Sequence, residues 1–153
     1  MALVFLACVL AGAWLPARLA VATSGSLDHR VFFLLSPPAH IERGEHLVFR
    51  HRDLTQVQPG LRSGHDRMIK QVGCLPGEHL TRDEANRFSC NGRPLGQALA
   101  ADSKGQPLPR FSWNGPVPAG KLFMIGTHPR SYDSKYYGFI DVHEILYQAL
   151  PLW

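Results

Sequence analysis

The chain has 153 residues, 45% of them hydrophobic and 18% charged, which suits one globular domain and excludes a disordered low-complexity chain. Its 16 basic and 12 acidic residues give a net charge of +4. Because the two signs are interleaved along the chain, the charge does not indicate a nucleic-acid-binding face, and we expect no nucleic-acid partner.

The N-terminal residues form an uncharged apolar segment. Residues 1–17 contain no Asp, Glu, Lys, Arg or His, and their side chains show no amphipathic helical stripe. Extended to residue 22, the segment would span about 33 Å as a helix, which is enough to cross a bilayer core. We therefore predict a membrane anchor over residues 1–22 and a separate domain over residues 23–153. A cleaved signal peptide ending at Ala20-Val21-Ala22 and a buried core helix stay open as alternatives.

Short strands separated by turns are predicted along the rest of the chain. Residues 31–35 form an apolar run that ends at two prolines, and residues 46–49 form a second run after a turn. Residues 67–72 alternate between apolar and polar side chains, which is the period of a half-buried strand. Asn91-Gly92 is a strong hairpin-turn signal.

Further loops and strands follow the same logic. Polar or turn-rich stretches predict loops over residues 53–66, 102–109 and 128–134. Residues 120–126 predict a strand, a last strand is predicted from Tyr136, and residues 141–150 fit either a strand or a helix. Because the strands are short, regularly spaced and separated by turn residues, the expected fold is mainly β.

Three cysteines and eight histidines show no metal-binding spacing. His143-Glu144 resembles the start of a zinc-protease motif, but Tyr147 stands where the second His is needed, so we expect no metal and no cofactor. Cys8 lies in the apolar segment, which leaves Cys74 and Cys90 as a pair in the domain. They are either two buried free thiols or, in an oxidising compartment, a disulfide that stabilises the fold by about 3 kcal/mol.

One lysine is a candidate general base. The chain has four lysines against twelve arginines, and Lys70 lies in the alternating strand next to Ile69. Arg stays protonated in proteins, whereas a buried Lys loses its proton more readily because burial disfavours the ammonium form. Lys70 is therefore either a neutral general base or a solvent-facing strand lysine.

Two further segments carry groups that fit the same chemistry. Ser24-Gly25-Ser26 offers a hydroxyl beside a glycine, which a substrate can approach closely, although Ser-Gly-Ser is also a common linker. A serine becomes a nucleophile only with a base nearby. Residues 126–138 concentrate hydroxyl and charged groups between two apolar strands. Ser131 there can orient a catalytic amine while Asp133 pairs with Lys135, or the segment is a solvated turn.

Together these segments resemble the type I signal peptidases, which carry four sequence boxes in this order. Residues 24–27 match the family's Ser-x-Ser-Met box, and residues 44–49 match its Gly-Asp-x-Val-Val-Phe box. Residues 70–78 match the Lys-Arg-x-x-Gly-x-Pro-Gly-Asp box, and residues 131–138 match the Ser-x-Asp-Ser-Arg-Tyr-x-Gly box. Within the family, the sequence is most similar to the conjugal-transfer TraF/TrhF peptidases. The residues that carry this similarity are 26–32, Cys74 with Cys90-Asn91-Gly92, and 131–134. Members of that branch mature pilin subunits of plasmid transfer systems.

The resemblance implies a small antiparallel β catalytic domain behind a transmembrane helix, with a Ser/Lys dyad. It assigns Ser26 as the nucleophile and Lys70 as the general base. It also implies that Ser24 donates to the oxyanion and that the Ser131 hydroxyl orients the base. Asp133 and Lys135 would form a supporting ion pair.

Some residues depart from the family pattern. Asp28 stands where the family has Pro, Gln71 stands for Arg, and the segment before Ser131 is one residue shorter. These departures bear on substrate specificity more than on the chemistry, because Ser26, Lys70 and Ser131 are all present.

The implied function is a membrane-bound endopeptidase that processes pilin precursors, with or without cyclisation, for a conjugative transfer system. The expected partners are a membrane-tethered pilin or preprotein, the lipid bilayer and components of the conjugative secretion apparatus. The catalytic domain would face the periplasm from the bacterial inner membrane, which favours the disulfide between Cys74 and Cys90. Against this topology stands Arg18, whose position after the apolar run favours a cytoplasmic domain by the positive-inside rule.

Three alternatives remain for the function. The first is a general signal peptidase that removes leader peptides from secreted preproteins. The second is a non-catalytic assembly protein of the transfer apparatus. The third is a self-cleaving Ser/Lys repressor, against which the apolar N-terminus counts.

Overall fold

A computed structural model describes residues 18–51 and 67–153, which are built almost entirely of antiparallel strands. The predicted anchor residues 1–17 and the predicted loop over residues 53–66 lie outside the described residues. The strands are, in chain order, β1 (Leu19–Val21), β2 (Val31–Leu35), β3 (His46–Arg50), β4 (Arg67–Cys74), β5 (His79–Arg82), β6 (Arg87–Cys90), β7 (Arg93–Gln97), β8 (Gly115–Pro116), β9 (Lys121–Ile125), β10 (Ile140–Asp141) and β11 (Ile145–Pro151). A short helix, α1 (Ser134–Tyr137), and a 3-10 helix (Val142–Glu144) follow β9.

The strands form two sheets in which paired neighbours run antiparallel. The larger sheet has the order β1-β2-β11-β3-β4-β9-β10, and the smaller sheet has the order β7-β6-β5-β8. The prediction of a mainly β domain is confirmed. Within residues 18–51 and 67–153, no helix is long and apolar enough to cross a membrane.

The larger sheet is buried on both faces at β3. Leu47 and Phe49 pack with Val72 of β4 in one core, whereas Val48, which lies between them, packs with Phe32 of β2 in another. Neighbouring side chains of a strand point to opposite faces, so a strand between two cores needs an uninterrupted apolar run. This explains the sequence of β3, and it places the paired strand β4 next to the same cores.

A third core joins the smaller sheet to the larger one. Leu80 and Phe88 of the smaller sheet pack with Phe123 of β9, and the ring centroids of the two phenylalanines lie 5.3 Å apart. Tyr136 of α1 belongs to the same core. The segment between β9 and β10 is therefore packed against the smaller sheet, which fixes the loop that carries several candidate site residues.

Most of the local predictions are confirmed. The strands predicted over residues 31–35, 46–49, 67–72 and 120–126 correspond to β2, β3, β4 and β9. Asn91 and Gly92 join β6 to β7 with φ angles of 48° and 77°, and positive φ at both central residues is what a type I′ hairpin turn requires. Residues 141–150, which fitted a strand or a helix, form the 3-10 helix and then β11.

The strand predicted from Tyr136 is wrong. Residues Ser134–Tyr137 form α1, because the Asp133 side chain accepts a hydrogen bond from Lys135 N at 3.1 Å and caps the helical turn. The structure also differs from the prediction that an anchor helix runs to residue 22. There Leu19–Val21 forms β1, which pairs antiparallel with β2.

The disulfide between Cys74 and Cys90, one of two predicted alternatives, is present. It joins the end of β4 in the larger sheet to the end of β6 in the smaller sheet, with the two Cα atoms 5.7 Å apart. Both cysteines are fully buried. The bond therefore ties the strand that carries Lys70 directly to the smaller sheet.

We expect the double variant Cys74→Ala/Cys90→Ala to lose about 3 kcal/mol of unfolding free energy, because the cross-link no longer restricts the unfolded chain. Chemical denaturation of the detergent-solubilised chain measures this loss. Reduction of the natural chain should give the same loss, and the variant should not respond to the reductant. Equal unfolding midpoints for the variant and the oxidised natural chain would contradict the prediction.

Candidate active site

Lys70 lies on β4 in a row of apolar side chains. Val72, two positions further along, is on the same face, and Leu47 of β3 is the register partner of Lys70. The side chain is only 3% exposed, so it does not face solvent. Burial disfavours the ammonium form and lowers the pKa of Lys70 to about 8, while the charge of Asp133 opposes this shift and the charge of Lys135 adds to it. An uncharged Lys70 is therefore accessible near neutral pH.

The amine of Lys70 is held by Ser131. Lys70 Nζ donates a hydrogen bond to Ser131 Oγ at 2.8 Å, and Ser131 is 2% exposed. Ser131 N in turn donates to the carbonyl oxygen of His128 at 2.9 Å, which makes a tight turn in the segment after β9. The structure thus brings together two of the residues singled out by the sequence.

Ser24 and Ser26 lie in the segment between β1 and β2. Their Oγ atoms are 3.0 Å apart, and Ser26 is half-buried whereas Ser24 is exposed. Leu27, the next residue, is buried in a core of the larger sheet and fixes the backbone of Ser26. The carbonyl oxygen of Ser26 accepts a hydrogen bond from His128 N at 3.3 Å. The serine segment is therefore bonded to the same loop that carries Ser131.

Gly126, which was not among the predicted site residues, lies between Ser26 and Ser131. A Cβ atom at this position would fall within 2.5 Å of both Ser131 Oγ and the Ser26 carbonyl oxygen. Only glycine allows the two segments to approach this closely. The signal in the sequence was a glycine directly after an apolar strand and before a hydroxyl-rich segment, a position where close backbone approach is common.

Asp133 and Lys135 form a buried ion pair beside Ser131. Lys135 Nζ donates to Asp133 Oδ2 at 2.6 Å, and the two side chains are 2% and 0% exposed respectively. The same carboxylate accepts hydrogen bonds from Gly126 N at 2.9 Å and from Lys135 N at 3.1 Å. Asp133 therefore fixes both ends of the segment between β9 and α1.

The residues predicted for the site are thus connected in space. The hydrogen bond that the structure gives Lys70 Nζ is with Ser131 Oγ, and Ser26 reaches this pair through its contact with Gly126. On the solvent side, Ser24 contacts Ser26. On the buried side, the Asp133–Lys135 pair contacts Gly126 through Asp133. This arrangement places the Ser26 segment and the buried Lys70 amine against the same loop. The hydrogen bonds that the structure gives Ser26 Oγ and Lys70 Nζ are with Ser24 Oγ and Ser131 Oγ respectively.

A cluster of potential metal ligands lies elsewhere in the domain. Cys74, Glu78 and Cys90 place ligand-type atoms within 4.8 Å of one another. The two sulfur atoms are bonded to each other in the disulfide, whereas a metal-binding cysteine is a thiolate. This cluster therefore does not form a metal site in the oxidised protein.

We expect Gly126→Ala to disrupt the candidate site. The added Cβ collides with Ser131 and with the Ser26 carbonyl, so the variant should lose about 3 kcal/mol of unfolding free energy and most of any cleavage activity. Gly25→Ala is the control for stability, because a Cβ there meets nothing within 4 Å. Chemical denaturation compares the two variants, and equal stability would contradict the close approach at Gly126.

Comparison with known proteins agrees with this geometry. The family model described as signal peptidase, peptidase S26, matches residues 2–153. The chain is 35% identical over 88 residues to the conjugal transfer protein TraF of Agrobacterium fabrum, which covers 56% of this chain and 48% of the relative. It is 31% identical over 111 residues to the probable signal peptidase I-2 of Synechocystis sp., which covers 71% of this chain and 46% of the relative.

The chain spans about half the length of these two relatives. The family model, in contrast, matches almost all residues of this chain, including Ser24 and Ser26, the strand of Lys70 and the loop of Ser131. The resemblance drawn from the four sequence boxes is confirmed, and the chain belongs to the signal peptidase family, peptidase S26.

Proposed function

We propose that the chain is a serine endopeptidase in which Ser26 is the nucleophile and Lys70 is the general base. The observation that supports this most strongly is the buried amine of Lys70, which has a pKa of about 8 and is held by Ser131 next to the Ser26 segment. A lysine accepts a proton only in its uncharged form, so burial is what makes this residue usable as a base. Membership of the family supports peptide-bond hydrolysis as the reaction.

The proposed reaction has two halves. Uncharged Lys70 Nζ takes the proton of Ser26 Oγ while Oγ attacks the scissile carbonyl carbon and forms a tetrahedral intermediate. The C–N bond then breaks, the leaving amine takes the proton from Lys70, and an ester remains on Ser26. Lys70 next takes a proton from water, whose oxygen attacks the ester carbonyl carbon. The bond between that carbon and Ser26 Oγ then breaks, Lys70 gives its proton to Oγ, and the new carboxyl terminus is released.

Ser24 and Ser131 support this reaction in different ways. Ser24 Oγ lies 3.0 Å from Ser26 Oγ, so its hydroxyl can donate to the oxyanion that forms next to that atom, together with the backbone N–H of Ser26. Ser131 accepts from the Lys70 amine and orients it. Asp133 and Lys135 hold the loop on which Ser131 lies.

The proposed substrate is a membrane-tethered pilin precursor of a conjugative transfer system. The name of the Agrobacterium relative, conjugal transfer protein TraF, supports this class of substrate and components of a transfer apparatus as partners. Attack by water on the acyl-enzyme gives a cleaved linear product. Attack by the amino terminus of the same substrate gives a cyclic product instead. The alternative substrate class, leader peptides of secreted preproteins, is supported by the signal peptidase name of the Synechocystis relative.

The proposed location is the periplasmic face of the bacterial inner membrane, with residues 1–17 as part of the anchor. A disulfide suits an oxidising compartment such as the periplasm. Exposed apolar side chains lie on β1 and around the C-terminal end of β11, which both pair with β2: Leu19, Val21, Leu150, Leu152 and Trp153. An apolar surface that begins where the apolar segment ends is suited to contact with lipid.

Mass spectrometry of candidate substrates, incubated with the full chain in membranes, tests the proposal. Cleavage of a pilin precursor supports it. A product that is lighter by one water than the linear cleaved product shows cyclisation. Cleavage of secretory preproteins alone would replace the pilin by the general leader-peptide substrate. No cleavage of either class, together with no labelling of Ser26 by an acylating inhibitor, would indicate a non-catalytic assembly protein.

A further inference from the structure

The buried Asp133 carboxylate has an electrostatic consequence for Lys70. Asp133 accepts a hydrogen bond from Gly126 N, and Gly126 is in close contact with Ser131, whose hydroxyl accepts from Lys70 Nζ. Through this chain of contacts the Asp133 charge acts on Lys70, stabilises its ammonium form and raises its pKa. Alone, Asp133 would therefore oppose the uncharged state that a general base needs.

Lys135 supplies the opposite charge at the same place. Its ammonium donates to Asp133 Oδ2 at 2.6 Å, the same oxygen that accepts from Gly126 N. The pair is shielded from solvent, so water screens its charges weakly. On the side of the smaller sheet, the Cβ position of Gly96 in β7 is 3.8 Å from both Lys135 Nζ and Cε, so β7 packs against the end of the Lys135 side chain.

Among the described residues, the charges that shift the pKa of Lys70 are those of this pair: Asp133 raises it and Lys135 lowers it. The ammonium of Lys121 on β9 is paired with Asp141 at the far end of its strand. The other titratable side chains on the elements around Lys70 are as follows: His46 and Arg50 of β3, Arg67 of β4, Asp28, His29 and Arg30 of the serine segment, His128, Arg130 and Tyr132 of the loop, and Tyr136 and Tyr137 of α1. None of these contributes a charge effect on Lys70 comparable to those of the buried pair.

We propose that Lys135 is a positioning residue whose charge cancels that of Asp133, so that Lys70 can stay uncharged and accept the Ser26 proton. The inference rests on the proposed role of Lys70 as general base. Asp133 then organises the loop through its hydrogen bonds without strengthening proton binding at Lys70. The ion pair thus has an electrostatic role in addition to holding the loop.

The titration of Lys70 tests this without relying on cleavage. The full chain, solubilised in detergent, carries Ser26→Ala and 13C-labelled lysine, and the Lys70 signal is identified by its loss in Lys70→Arg. Lys135→Gln keeps a hydrogen-bond donor for Asp133 and removes the charge, so the pKa of Lys70 should rise by about one pH unit or more. Asp133→Asn removes the negative charge of the pair and should lower the pKa of Lys70. Lys135→Arg keeps the charge and should leave it near its natural value.

Cleavage assays with natural Ser26 supply the second readout. In Lys135→Gln the acid limb of the pH–rate profile should move to higher pH, and the rate at pH 7 should fall about tenfold if the limb moves by about one pH unit. Lys135→Arg should restore the natural profile. A lower rate with an unmoved profile would show that Lys135 is only structural.

An unchanged Lys70 titration in a folded Lys135→Gln chain overturns the proposal, and so do equal changes in Lys135→Gln and Lys135→Arg. If Lys135→Gln does not fold, the double variant Asp133→Asn/Lys135→Met decides, since replacing a whole buried pair is often tolerated. Its Lys70 pKa should stay within about one pH unit of the natural value, and a larger change overturns the proposal. If the titrations behave as expected but Ser26→Ala still cleaves substrate, the proposed function fails while the effect of Lys135 on Lys70 stands.

Discussion

Ser26→Ala is expected to abolish cleavage and acyl-enzyme formation while the chain remains folded. Without Oγ no ester can form, and removal of the nucleophile from a serine protease lowers kcat by about 10⁶-fold. The fold should tolerate the change, because Ser26 is half-buried and the hydrogen bond of its Oγ is with the exposed Ser24. The backbone carbonyl of Ser26, which accepts from His128 N, is unaffected by the substitution.

Two matched serine variants give this prediction its scale. Ser24→Ala removes one proposed oxyanion donor and should lower kcat by about 10²–10³-fold, much less than Ser26→Ala. Ser103→Ala changes an exposed loop serine and should cleave at the natural rate. Rates are measured by quantitative mass spectrometry of the substrate, alongside labelling with an acylating inhibitor. Natural cleavage by Ser26→Ala would rule out Ser26 as the nucleophile.

The strands that carry the site could be predicted because their signals are local. The alternation in β4 and the apolar run of β3 predict two strands, and both strands are confirmed. The burial of Lys70 follows from this pairing, since its register partner Leu47 is fully buried. The sequence alone left Lys70 as either a general base or a solvent-facing lysine, and the pairing of β3 with β4 decides for burial.

The contacts that complete the site are not local, and this is where sequence patterns fail. Tyr136 and Tyr137 are residue types typical of strands, yet the cap from Asp133 and the packing of Tyr136 in the third core make this segment helical. Leu19–Val21 has the composition of the preceding apolar segment, and only its pairing with β2 makes it a strand. Gly126 is required because residues far apart in the chain meet at its Cα.

Lys70→Arg is expected to inactivate the protein as fully as Ser26→Ala, although it keeps a positive charge and a donor for Ser131. Arg stays protonated in proteins and cannot take the Ser26 proton, whereas Lys70, with a pKa of about 8, can. Below that pH the uncharged fraction of Lys70 falls about tenfold per pH unit, so the natural cleavage rate should rise with pH and level off above about pH 8. Lys104→Arg, at an exposed lysine, should keep both the rate and the profile.

Lys70→Met separates loss of the base from damage to the fold. The pKa of Lys70 is lowered from 10.5 in the unfolded chain to about 8 in the folded chain, so between these values the unfolded chain binds more protons and stability rises with pH. Below about pH 8 the buried ammonium destabilises the folded state, and an apolar side chain of similar length removes that cost. Chemical denaturation at pH 7 should find Lys70→Met at least as stable as the natural chain, yet inactive. Full activity in Lys70→Met or Lys70→Arg, or a cleavage rate that does not change between pH 6 and 8, would mean that Lys70 is not the base.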